Sequence, residues 1–354
     1  MTGAWWQYLL VFVGAISLSL VFTPLAIATA LRRGVLDKPG GHKSHSSPVP
    51  YLGGLAVVFS FSVSMLIPVI AISDSTVSNE VLAVIGIALG LALLGLIDDL
   101  RGLSSSLRFA CEIAAGLSLW LLDIGVELFG NVWVDGAVTV LWVVGITNAF
   151  NLLDNMDGLS AGIAGIASVS FFAIAAANGQ YLVAGLSLAL GGCAFGFLRH
   201  NFHPARVYMG DSGALFFGFL ISFVGLKLQL QIPSKVSVLV PIVVCSVAVL
   251  DTSLVTIARL RHGLSPFQGG RDHVSHRLVK VGLPVPVAVT VLYFAAASVG
   301  VLAFVIARVD LVAAWTLAGL VATALIGLGI LAYNVPVYAN SKQRLFSVVE
   351  HPND

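Results

Sequence analysis

Residues 134–158 read VDGAVTVLWVVGITNAFNLLDNMDG. The stretch is apolar through Thr147 and then places two amides and two carboxylates, Asn148, Asn151, Asp154 and Asp157, within ten residues. An apolar run of this kind suits the roughly 20 residues a helix needs to cross a hydrocarbon core of about 30 Å. The polar cluster falls where such a helix should be ending. If that is the right reading, the chain is a membrane protein with polar chemistry at its surface.

The rest of the chain agrees. Of its 354 residues, 58% are hydrophobic and 10% charged, and the mean hydropathy is +0.98. Soluble domains hold only roughly 45–50% apolar residues. Segments able to span a bilayer lie near 5–31, 52–72, 80–97, 107–124, 134–153, 159–177, 180–198, 212–230, 236–257, 283–307 and 311–333. These predict an all-α, polytopic membrane protein with about 11 transmembrane helices, because helices satisfy their own backbone in lipid and barrel strands would be shorter and alternate. Short links such as Ala177-Asn178-Gly179 make neighbouring helices antiparallel, so residues 1–354 read as a single integral membrane domain. Cys111, Cys193 and Cys245 each sit inside an apolar run without ligand spacing and read as small core residues. The N-terminal run has no basic lead or small-residue cleavage site and reads as a retained first helix.

Net charge is +1, which excludes a global field for nucleic acid and leaves only the placement of charges to argue from. With the N-terminus outside and the C-terminus cytoplasmic, nearly all lysines and arginines face inward, and only Lys227, Lys235 and Arg308 remain opposite. Trp5, Trp6, Trp120, Trp133 and Trp315 then fall near the outer boundary, as an aromatic belt would. The same topology gathers all eight histidines with Asp98, Asp99, Asp154, Asp157 and Asp211 at the cytoplasmic face. One active region built from inner loops and helix ends follows.

Each cluster has a plain reading beside the chemical one. Asp98-Asp99 ends a helix whose dipole disfavours acids; it suits either solvated interfacial acids beside Arg101 or a site that brings a cation. Asn148 and Asn151 suit interhelical hydrogen bonding, and Asp154 or Asp157 an N-cap, but four oxygen-bearing side chains exceed one cap and suit a hard cation such as Mg²⁺. In MGDSGALFFGF, Asp211 or Ser212 can cap a helix, or Asp211 can hold a metal beside helix N–H groups that take a phosphate. RDHVSHRL, with Arg271, His273 and His276, reads as positive-inside topology or as an anion clamp. DKPGGHKSHSSPVPYLGG adds Lys43 and His45. Asp251, about two turns below the surface, suits either a basic partner in that clamp or the lipid phosphate.

Together DKPGGHKSHSSPVPYLGG, IDDLRGL, NAFNLLDNMDGLSAG, VYMGDSGALFFGF and RDHVSHRL, in this order over roughly residues 30 to 282, resemble the polyprenyl-phosphate N-acetylhexosamine-1-phosphate transferases. That family includes the phospho-N-acetylmuramoyl-pentapeptide transferase. The resemblance implies transfer of a sugar-1-phosphate, most simply GlcNAc-1-phosphate, from a UDP-sugar to polyprenyl phosphate in the cytoplasmic membrane. UMP is released, and the cofactor is Mg²⁺ or, in its place, Mn²⁺. It implies Asp211 and Asn151 at the metal, Asp98 and Asp99 at the lipid phosphate, and Asn148, Asp154 and Asp157 on the nucleotide side. Tyr208 would stack on uracil, and Lys43, His45, Arg271, His273 and His276 would hold diphosphate. The chain departs from the family pattern at Ser275, where an imidazole is common, and at Asn155, where glycine is usual. Transfer of the muramoyl-pentapeptide phosphate is the alternative. A secondary transporter fits less well, since its ion-carrying acids belong near the midplane, and a non-catalytic scaffold fits least. A homodimer is compatible with the sequence, although no interface is legible.

Overall fold

The computed structural model describes residues 4–37, 48–70, 75–228, 230 and 234–338. Lys43 and His45 lie outside the described residues. Fourteen helical segments occur among the described residues: α1 Trp5–Arg33, α2 Gly53–Ile70, α3 Ser75–Arg101, α4 Ser105–Leu121, α5 Val132–Leu153, α6 Leu159–Ala177, α7 Tyr181–Asn201, α8 Gly210–Lys227, α9 Ser234–Ser237, α10 Leu239–Val244, α11 Ser246–Arg261, α12 Val274–Lys280, α13 Val285–Ile306 and α14 Leu311–Tyr333. Nine of these, namely α1, α2, α3, α5, α6, α7, α8, α13 and α14, are long and apolar enough to cross a membrane. The chain is a multi-pass membrane protein.

Two of the expected spans take another form. The segment expected at 107–124 is α4, a shorter helix of 17 residues. The segment expected at 236–257 is divided into α10 and α11 at Cys245. Pro241 has no N–H to return to the Ser237 carbonyl, which accounts for the separation of α9 from α10 at Val238. At Cys245 the i→i−4 bonds persist, from the Cys245 amide to Pro241 and from the Val249 amide to Cys245, so the helical path carries on across that residue. A short antiparallel ribbon, β1 Leu36–Asp37 with β2 Val49–Pro50, was also unexpected in an all-α chain.

Burial grades across the bundle. Helices α7 and α8 are the most enclosed, whereas α1 and α14 present most of their apolar surface outward, as lipid-facing helices do. Small residues let α7 approach α1: a β-carbon on Gly192 would lie 2.8 Å from the Ala15 β-carbon, and one on Gly196 2.7 Å from Ser19. Close backbone approach through small residues is the packing mode available where lipid removes the hydrophobic drive.

The same device positions the polar end of the bundle. Beyond β2, the Gly53 and Gly54 amides donate to the Tyr208 and Met209 carbonyls, and the Tyr208 amide donates to the Pro50 carbonyl. A β-carbon on Gly54 would come 2.4 Å from the Gly213 nitrogen, and one on Gly95 of α3 2.5 Å from the Asp211 carbonyl carbon. The N-terminus of α8 is thereby locked between α2 and α3.

Candidate active site

Asp98 and Asp99 end α3, and Gly102, at φ +67°, turns the chain into α4. Ser104 caps α4 by accepting from the Leu107 amide. This turn carries Arg108 back over Asp98. The Asp98 carboxylate accepts from the Leu103 amide at 2.5 Å and from Arg108 Nη1 at 2.6 Å. The same Nη1 lies 2.6 Å from Asp211 Oδ2, while Asn151 Nδ2 donates to Asp211 Oδ1 at 2.9 Å. Three helix ends, those of α3, α5 and α8, therefore meet at Asp211, with α4 supplying the cation.

Asp99 has a different task. It accepts from the Asp211 amide at 2.9 Å and the Ser212 amide at 3.3 Å, so it caps α8 from a neighbouring helix. Neither Asp211 nor Ser212 caps its own helix, contrary to one sequence expectation. Gly210 sits at φ +69°, and a β-carbon there would fall 2.5 Å from Asp99 Oδ2. Only glycine suits that position. Tyr51 also hydrogen-bonds Asp99, and burial followed by Asp99 and Asp211 raises its hydroxyl well above the usual phenol range, so it is a fixed donor.

The turn between α5 and α6 differs from its expectation too. Asp154 closes α5 as its C-cap, and α6 is preceded by Gly158 rather than by an acidic N-cap. Burial, and then the carboxylates of Asp211, Asp99 and Asp157, push Asp154 up to about 8. Asp157 accepts from the Ala205 amide at 3.0 Å and pairs with His203 Nδ1 at 2.8 Å. Asn148 points elsewhere: its amide donates to buried Glu112 and to the Val144 carbonyl.

Two cavities open here. One of about 280 Å³ is lined by Tyr51, Asn151, Asp154, Asp157, Tyr208, Asp211 and His276, among others. The second, of about 620 Å³, shares Asn155, Met156, Asp157, Tyr208 and His276 with it and adds His203, Arg271 and Lys280. An acidic compartment thus adjoins a basic one, with Tyr208 between. Burial, Asp157 and Asp37 raise the Tyr208 hydroxyl, which stays protonated.

The basic wall is α12. Asp251 accepts from the Val274 amide and pairs with His273 Nδ1, both at 2.7 Å, which resolves the two readings of Asp251 in favour of a basic partner. His273 is buried and lines neither cavity. His276 does, and burial, then His273, lower it to about 4, so it is neutral near pH 7. Behind it, Arg259 and Asp272 form a buried bidentate pair, and Arg277 donates to the carbonyls of Ala332, Tyr333 and Val335 at the end of α14.

Among the described residues no three His, Cys, Asp or Glu side chains form a ready metal cage. Mg²⁺ does not need one, since it uses one or two carboxylates and takes its other oxygens from water and phosphates. The donor set fits: Asp211 and Asn151 offer hard oxygens. Asp154, held protonated by its acidic neighbours, marks a compartment short of positive charge. Sequence reasoning missed Arg108, Tyr51, Glu112 and His203. For Arg108 a signal was present, because the Gly102 turn and Ser104 cap fix how α4 returns toward Asp98.

Comparison with known proteins fits this arrangement. Residues 81–229 match the model of glycosyl transferase family 4. The chain is 31% identical over 293 residues to a probable undecaprenyl-phosphate N-acetylglucosaminyl 1-phosphate transferase of Bacillus subtilis, covering 80% of each chain. It is 29% identical over 308 residues to the decaprenyl-phosphate N-acetylglucosaminephosphotransferase of Mycolicibacterium smegmatis, over 78% of this chain and 75% of that one. A phospho-N-acetylmuramoyl-pentapeptide-transferase of Shouchella clausii is 32% identical over 276 residues, 71% of this chain and 82% of that one.

Proposed function

Because the chain belongs to glycosyl transferase family 4, we propose that it transfers N-acetylhexosamine-1-phosphate, most simply GlcNAc-1-phosphate, from a UDP-sugar to a polyprenyl phosphate and releases UMP. The observation that carries this reading is Asp211. It stands between Arg108 and the Asn151 amide at the polar end of an apolar bundle, beside a cavity walled by Tyr208, Arg271 and His276. Such a place admits one substrate from water and the other from lipid. The named activities of the Bacillus and Mycolicibacterium relatives support the same choice.

Asp211 and Asn151 would hold Mg²⁺, or Mn²⁺ in its place. When bound, the ion supplies neutralisation of diphosphate charge and stabilisation of the leaving UMP. The residues do the rest by positioning, which is most of what phosphoryl transfer needs. Arg271 and Lys280 attract the diphosphate, His276 and Tyr208 flank it, and Asp157 with His203 bounds the nucleotide side. Arg108 and Asp98 receive the lipid phosphate. A phosphomonoester has its second pKa near 6, so it is already largely a dianion and attacks the β-phosphorus directly. Asp98 then orients the nucleophile or takes a residual proton, and no covalent enzyme intermediate is required.

The strong inward bias of basic residues supports an orientation in the cytoplasmic membrane with the N-terminus outside and this site facing the cytoplasm. The test is direct. Purified protein in nanodiscs is given undecaprenyl phosphate, Mg²⁺ and, separately, UDP-GlcNAc, UDP-GalNAc or UDP-MurNAc-pentapeptide, and lipid product and UMP are read by mass spectrometry. Product with UDP-GlcNAc is expected. Product from the muramoyl-pentapeptide donor alone would assign the alternative transferase, and no product from any donor would overturn the proposal.

A further inference from the structure

The two residues that depart from the family pattern touch each other. Ser275 Oγ donates to Asn155 Oδ1 at 2.6 Å. The direction of this bond is fixed by the other end of the amide, because Asn155 Nδ2 is committed to the Leu152 carbonyl at 2.8 Å. Turning the amide over would set its oxygen against the Leu152 carbonyl oxygen, and that contact alone favours the orientation in which the Ser275 hydroxyl donates. A continuous line therefore runs from the last turn of α5, through Asn155, to Ser275 in the first turn of α12. His276 follows at once, with its Nδ1 3.5 Å from Ser275 Oγ.

This line spans the mouth between the two compartments. Asn155 and His276 both line the 280 Å³ and 620 Å³ cavities, whereas Ser275 is fully buried behind them. At the start and middle of α12 the other polar anchors point away from the cavities: His273 and Val274 are held by Asp251 of α11, and Arg277 by the end of α14, while Lys280 at the far end lines the larger cavity and donates to the Pro336 carbonyl. Those anchors hold the helix in the fold. None of them runs directly to the turn that carries Asp154 and Asp157, whereas the Ser275–Asn155 bond does.

We propose that the Ser275–Asn155 hydrogen bond is a clasp that sets the spacing between the acidic α5–α6 turn and the His276 wall, and that both residues are positioning residues for the UDP-sugar. The proposal rests on the transferase reading above. The diphosphate is short and must meet both walls at once, so an error in their separation costs contacts on one side and weakens binding of that substrate. Asp98 and Arg108 line neither of these two cavities. The clasp therefore acts on one substrate and spares the other.

Initial rates in nanodiscs of Ser275→Ala, Asn155→Ala, the double variant and Ser275→Thr test this, with both substrates varied. Each alanine variant should raise KM for the UDP-sugar about five-fold, the size of one neutral hydrogen bond, and leave KM for the lipid phosphate within about two-fold. Asn155→Ala also gives up the bond to the Leu152 carbonyl, so the double variant should be no worse than Asn155→Ala alone, since that variant already lacks the clasp. Ser275→Thr keeps the hydroxyl and should keep KM near that of the parent, which also serves if the alanine at this buried position fails to fold. Multiplying effects in the double variant, or equal rises in both KM values, would overturn the clasp. Hydrogen exchange separates this from the reaction itself. In the ligand-free protein, Ser275→Ala should speed exchange at residues 152–158 if the clasp exists, even if no UDP-sugar is turned over. Unchanged exchange there would overturn it.

Discussion

Arg108 Nη1 stands 2.6 Å from Asp211 Oδ2 and 2.6 Å from Asp98 Oδ2, so a single guanidinium nitrogen serves acids from two helices. The proposed metal ion and Arg108 thus seek the same carboxylate. Replacing Arg108 by Ala should lower kcat by about 100-fold, in the range seen when one charged contact to a reacting oxyanion is lost. It should also lower the Mg²⁺ concentration for half-maximal rate, because a competing cation is gone. Titration of turnover with Mg²⁺, paired with Mn²⁺ binding by electron paramagnetic resonance, reads both. Tighter ion binding with slower turnover is expected; an unchanged Mg²⁺ requirement would remove Arg108 from the site.

Asp99 is held by the Asp211 and Ser212 amides, and its negative charge sits at the positive end of the α8 dipole. Asp99→Ala should cost about 1 kcal/mol of stability, the ordinary worth of a cap, and should misplace Asp211. Thermal unfolding in detergent and UMP release measure the two effects. Loss of activity without any loss of stability would point to Asp99 acting on substrate directly.

Much of this was legible in the sequence, and the failures have physical causes. The apolar runs gave the bundle because lipid permits few alternatives. The polar clusters gave the site because helix ends in a membrane protein are where carboxylates are tolerated. Which acid does what was not legible. Asp99 caps a helix more than a hundred residues away, and Asp211 leaves its own helix uncapped, because caps can be supplied in space as well as in sequence. His273 read as part of an anion clamp and is buried against Asp251, since the spacing of His273 and His276 at the start of a short helix does not say which of them faces the cavity. The break at Val238 was signalled by Pro241 three residues on, yet the mean apolarity of the segment hid it, and the turn at Cys245 carried no such signal.

Gly95 of α3 sits against the first turn of α8, where an added β-carbon would lie 2.5 Å from both the Asp211 carbonyl carbon and the Ser212 nitrogen. Neither is a flexible side chain that can swing aside. Gly95→Ala should therefore push the helices apart at a cost of about 1–3 kcal/mol. Gly90, one turn and a half earlier, meets nothing within 4 Å, and Gly90→Ala should be neutral or slightly stabilising. Comparing thermal unfolding and turnover of the two variants tests the packing. Equal behaviour would mean that α3 and α8 are not locked at Gly95.

His276 is held near 4 by burial and by His273, so at pH 7 it contributes no charge and the attraction for diphosphate comes from Arg271 and Lys280. Arg271→Ala should then raise KM for the UDP-sugar by about 100-fold, whereas His276→Gln should raise it less than about ten-fold. Between pH 6 and 8 the KM profile of His276→Gln should run parallel to that of the parent, since no midpoint near the ordinary imidazole value of about 6.5 belongs to His276, and what change there is comes from carboxyls such as Asp154. Stability has the opposite sensitivity. Between about 6.5 and 4 the unfolded chain binds a proton at His276 that the folded chain refuses, so stability falls as pH falls through this window and levels off below it. The midpoint of thermal unfolding should therefore drop less in His276→Gln than in the parent when the pH is taken from 7 to 4.5. A KM that climbs with pH around 6.5 in the parent but not in His276→Gln would show that the imidazole binds substrate as a cation, and the division of labour between Arg271 and His276 would have to be reversed.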